Sequence, residues 1–151
     1  MSIEKINHWL TLLANIGVLA GIIFLAIELQ QNTSISKANG YRENIQGISD
    51  WRSDVMSDPG LSEIFRKYYV VQDVSELDGS ETTQLFLLIL NIFGSYENAY
   101  FARDYGVIGD EEWARFEKGV CTHFNITKGL ELEIAIAFIT DQFRSHLDSV
   151  C

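Results

Sequence analysis

Proline occurs once in the 151 residues, at Pro59, and cysteine twice, at Cys121 and Cys151. With no proline ahead of Pro59, no residue of that kind interrupts a helix in the first third of the chain. The two cysteines form neither an evident disulfide framework nor a metal-ligand spacing, so the sequence predicts free thiols that pack or sit idle. That reading agrees with a reducing compartment.

Basic residues are scarce as well. Eleven Lys and Arg stand against 21 Asp and Glu, for a formal net charge of -10. A nucleic acid needs clusters of Lys and Arg to displace its counterions, and this chain has none, which excludes nucleic acid as a partner. The acidic residues gather in QDVSELDGSE and GDEEW, where they solvate turns and favour helix N-termini.

Catalytic signatures are missing too. His8, His123 and His146 have no Glu-x-x-His or His-x-x-x-His neighbour that would build a metal site on a helix. There is no glycine-rich phosphate cradle and no Gly-x-Ser-x-Gly nucleophile turn. No catalytic residue, metal or cofactor is expected on these grounds.

The most informative absence is of charge between Lys5 and Glu28. The stretch INHWLTLLANIGVLAGIIFLAIELQQN, at about 1.5 Å of rise per residue, covers roughly the 30 Å of a bilayer's hydrocarbon core. A buried core helix would carry a broader polar stripe than His8, Thr11 and Asn15. A cleaved signal peptide would have a shorter apolar region ending in a small-x-small site. The sequence therefore predicts a retained transmembrane helix over residues 6–29, followed by a helical domain over 30–151. Lys37 and Arg42 after the span, against Lys5 before it, predict that this domain is cytoplasmic.

Within the span, Ala14, Gly17 and Gly21 share one helix face and form a groove along which a second helix can approach closely. Thr11 and Asn15 are intramembrane polar residues, and an amide in the bilayer gains from an interhelical hydrogen bond. Beyond the span, Ile35, Ala38, Tyr41, Ile45, Ile48 and Val55 recur at helical steps, so the membrane helix can run on as one rod. Asp58 and Pro59 mark a helix start, with Leu61, Ile64, Phe65 and Tyr68 on one face. The apolar run from Leu85 to Phe93 predicts a central helix of a bundle that ends at Gly106, and Trp113, Phe116 and Val120 predict the inward face of the next. A single final helix is predicted through GLELEIAIAFITDQFRSHLDSV. Glu97 stands in an otherwise apolar and aromatic helix, a buried-charge candidate whose partner would be Arg103, Arg115 or His123.

The order of LANIGVLAGIIFLAIELQQNTSISKANGY, DPGLSEIFRK, SYENAYFARDYGVIGDEEWARFEKGV and FRSHLDSV resembles a family of small uncharacterised proteobacterial single-span membrane proteins with a helical cytoplasmic domain. The resemblance covers nearly the whole chain and implies an all-α fold in a bacterial inner membrane, with no activity, cofactor or catalytic residue attached. A likeness of layout alone links the chain to a small membrane protein that accompanies an RNA-guided RNA nuclease and assembles into a ring-shaped pore. The nuclease pattern Arg-x(4 to 6)-His is absent here. Two functions are therefore expected as alternatives: an assembly protein that self-associates in the bilayer as a homo-oligomer, a ring or pore being one form, or a monomeric anchor whose domain binds a regulatory protein partner.

Overall fold

The computed structural model is all-helical. It describes residues 3–151, the side chains of residues 4 and 5 excepted, so the flanking charge of Lys5 lies outside the described side chains. Six α-helices follow in order, and no strand occurs among the described residues: α1 Ile3–Ser57, α2 Pro59–Arg66, α3 Gly79–Asp104, α4 Asp110–Gly129, α5 Glu133–Ile136 and α6 Asp141–Val150. A π turn, Lys67–Val71, continues directly from α2. By its contacts the chain divides into two compact units, the first ending at Ala38 and the second running Asn39–Cys151.

In the first unit every described side chain from Ile6 to Ala38 is exposed. Leu13, Leu19 and Phe24 each keep about 60% of their surface open. None of the most apolar stretch of α1 is buried within the chain, which makes this helix a candidate membrane span. Hydroxyls on this helix turn back on their own backbone. Thr11 donates to the Asn7 carbonyl at 2.9 Å and Thr33 to that of Leu29 at 2.8 Å, which satisfies each group without a partner from elsewhere.

The second unit takes the last part of α1 into its core through Ile48, Trp51 and Val55. These stand three and four residues apart, one face of the helix. The expected face is narrower than the spacing suggested: Ile35 and Ile45 are exposed, and Trp51 is buried in their place. Gly47 opens the approach to α3, where the Ser95 hydroxyl donates to the Gly47 carbonyl at 3.3 Å.

Two helix starts follow from their capping chemistry. Asp58 accepts from the backbone N–H of Gly60 at 2.8 Å and of Leu61 at 3.1 Å, with Pro59 in the first turn. Asp78 and Glu81 close a capping box at the head of α3, so the acidic stretch before it is used as a helix cap. α3 is the central helix of this unit: Leu85, Leu88, Ile89, Ile92, Phe93, Tyr96 and Ala99 are buried along it. Although α3 is also long and apolar enough to cross a membrane, half of that stretch is buried inside the unit. It ends where Gly106 takes a φ of 66°.

Two expectations are corrected. The closing segment is two helices, because Glu131 adopts a φ of 56° before α5 and Thr140 caps α6 from an extended conformation. The apolar run IAIAFI thus folds into one helical turn and a bend, with Ala135, Ile136 and Ile139 buried. The cysteines are not free thiols: Cys121 and Cys151 are joined in a disulfide, their Cα atoms 5.1 Å apart. Nothing in the spacing of two lone cysteines revealed that α6 returns to lie beside α4.

Candidate functional site

In the second unit the densest chemistry surrounds His123, on the inner face of α4. Aromatic rings approach it from four elements. The Trp51 ring, from α1, meets it edge-on with centroids 5.7 Å apart, and Phe65, from α2, lies at 6.3 Å. Tyr68 and Tyr69, from the π turn, lie at 6.0 and 5.2 Å, the first nearly parallel to the imidazole. Tyr96, from α3, completes the set at 6.2 Å.

The π turn explains how two consecutive tyrosines reach one histidine. An i to i+5 turn widens the helix by one residue, and such insertions re-aim side chains. Gln72, with φ 56°, then closes the turn in the left-handed region. Tyr68 is fully buried, and its hydroxyl meets the Thr127 hydroxyl at 2.9 Å, donates toward the His123 carbonyl at 3.2 Å and stands 3.4 Å from His123 Nδ1. Burial pushes the Tyr68 hydroxyl up to about 12, so it keeps its proton. Burial, with a smaller contribution from the charge of Arg52, holds the His123 imidazole down to about 4, so it is neutral at pH 7.

A cleft of about 270 Å³ opens beside this histidine, lined by Trp51, Arg52, Val55, Met56, Phe65, Tyr69 and His123. The guanidinium of Arg52 stands 5.2 Å from the Trp51 ring centroid at its rim. Such a surface accepts a flat or apolar group against the rings.

A second polar cluster ties α6 to α4. Glu117 Oε1 accepts from Trp113 Nε1 and pairs with His146 Nε2, each at 2.9 Å, while Tyr100 packs on the His146 ring with centroids 4.9 Å apart. Among the described residues no group of three or more His, Cys, Asp or Glu could hold a metal ion.

The residues singled out from sequence fall elsewhere. Ala14, Gly17 and Gly21 are exposed on α1, and a Cβ built at either glycine meets nothing within 4 Å. Asn15 is exposed on the same helix. Glu97 is half-buried, and its carboxylate accepts from the backbone N–H of Thr140 at 2.7 Å. It therefore secures the entry to α6 and is partnered by backbone rather than by Arg103, Arg115 or His123; Arg103 pairs with Asp110 at 2.8 Å. The His123 cluster was missed because its members come from five separate elements, and only the tyrosine pair Tyr68-Tyr69 and the run of aromatics in α3 hinted at it. No family model, curated protein or solved structure matches the chain.

Proposed function

We propose that the protein is a single-pass membrane protein whose α1 anchors a helical bundle and self-associates in the bilayer, with no catalytic activity of its own. The observation that carries this is the first unit itself. A helix whose large apolar side chains from Ile6 to Ile27 are all exposed needs an apolar surrounding, and lipid or a second copy of the helix supplies it. The open groove at Gly17 and Gly21 is the place where that second copy fits most closely, with the Asn15 amide available for an interhelical hydrogen bond. The resemblance to the proteobacterial family supports a bacterial inner membrane as the bilayer.

The second reading, an anchor whose helical domain binds a partner, is favoured by the aromatic cleft beside His123, because partly open aromatic rings with one cation at the rim are typical of a binding surface. Native mass of the detergent-extracted particle separates the two. The wild type is expected as an oligomer, and Gly17→Ile with Gly21→Ile is expected to lower its mass to that of a smaller assembly. An unchanged mass in the double variant rejects the glycine interface, a monomeric wild type rejects self-association, and full-length protein in the soluble fraction without detergent rejects the anchor.

A further inference from the structure

The disulfide bears on which compartment holds the second unit. Cys121 lies on α4 and Cys151 directly follows α6, so the bond staples α6 to α4 across a separation of 30 residues. Cys151 is exposed and Cys121 half-buried, which leaves the bond within reach of dissolved thiols. A solvent-reachable disulfide in the cytosol is opened by exchange with the glutathione and thioredoxin pools, whereas in an oxidising compartment it forms and persists.

The pair has the character of a structural staple. Both cysteines of the chain are used in it, so no third thiol remains to resolve or relay the bond, and the two are not arranged as Cys-x-x-Cys. Non-covalent contacts hold the same two helices together: His146 with Glu117 at 2.9 Å, Lys128 with Asp148 at 3.2 Å, and the fully buried Phe143 and Leu147 of α6. These keep the two sulfurs near one another in the folded unit, so that an oxidising environment closes the bond.

Against this stands the charge balance at the membrane, Lys37 and Arg42 on one flank and Lys5 on the other, which differs by a single charge (2 − 1). A difference that small orients a helix weakly, while an exposed structural disulfide is rare in a reducing compartment. We propose that the second unit, Asn39–Cys151, lies in an oxidising compartment, on the non-cytoplasmic side of the membrane that α1 spans. The membrane side rests on the anchor reading above; the compartment rests on the disulfide alone. Partners of the aromatic cleft are then extracytoplasmic.

The test uses the full chain expressed in bacterial cells. Thiols are trapped in intact cells with a permeant maleimide, the protein is then denatured, reduced and labelled with a mass-tagged maleimide, and spheroplasts of the same culture are treated with protease. Two added tags and digestion of the second unit in intact spheroplasts are expected. No added tags, meaning both thiols were free in the cell, overturns the proposal, as does a protease-protected second unit beside a protected cytosolic marker. Protein that is oxidised but released in soluble form on spheroplasting sustains the compartment and overturns only the anchor.

Discussion

Tyr68 and His123 lie ring to ring, 8° from parallel with centroids 6.0 Å apart, and the same Tyr68 hydroxyl reaches back to the His123 carbonyl at 3.2 Å. One hydroxyl thus stands beside both the imidazole Nδ1 and the backbone carbonyl of the same histidine. The arrangement suits a neutral imidazole, because the five surrounding rings bring no charge near it and the charged neighbour, Arg52, opposes a second positive charge.

That gives a pH dependence whose sign follows from proton uptake. Unfolded, His123 takes a proton near its ordinary 6.5; folded, it takes one only near about 4. Between those values the unfolded state binds more protons, so stability falls as pH drops through 6.5 and levels off below about 4. The full loss attributable to this group is on the order of 3 kcal/mol. Denaturant unfolding of the detergent-solubilised chain at pH 7.5 and 4.5 should show most of that loss, and His123→Asn should shrink the difference between the two pH values. An equal pH slope in the variant would remove His123 as its source.

Much of the fold was legible because its signals are local. Asp58 with Pro59, Asp78 with Glu81, and Gly106 each place a helix end by backbone chemistry confined to a few residues. The uncharged stretch before Glu28 likewise announced an exposed apolar helix. What was not legible depends on distant segments meeting. Thr140 is the extended cap of α6 and is held by Glu97, 43 residues earlier, so the break in the closing segment is fixed partly by α3. Cys121 with Cys151, and His123 with Trp51, are pairings of the same kind: helical periodicity assigns each residue a face, but says nothing about which helix covers that face.

Two helix-interior glycines should respond to alanine with opposite signs. A Cβ at Gly94, in α3, meets nothing within 4 Å, so Gly94→Ala gains helix propensity and is expected to stabilise by about 0.5–1 kcal/mol. A Cβ at Gly119, in α4, meets the Tyr96 hydroxyl and stands 3.1 Å from Tyr96 Cζ. Tyr96 is buried among the core residues and has little room to yield. Overpacking of that kind costs about 1–3 kcal/mol and exceeds the propensity gain, so Gly119→Ala is expected to destabilise. Unfolding midpoints of the two variants on the same side of the wild type would contradict this assignment.

The disulfide should stabilise the second unit mainly through the unfolded chain. Closing a loop with a separation of 30 residues removes unfolded-state freedom worth about 3–4 kcal/mol in the chain-entropy account. In the folded state α6 keeps its own attachments, the buried Phe143 and Leu147 and the Glu117 carboxylate on His146, so replacing both cysteines should leave it seated. Cys121→Ser with Cys151→Ser is therefore expected to lose about 3–4 kcal/mol in denaturant unfolding while α6 amides keep their protection against hydrogen exchange under native conditions. The alternative is that the bond holds α6 down against a tendency to detach. In that case amides of residues 141–150 exchange quickly in the double variant while those of α3 stay protected. Full protection of α6 together with lowered global stability assigns the effect to the unfolded chain, and selective loss at α6 assigns it to the folded one.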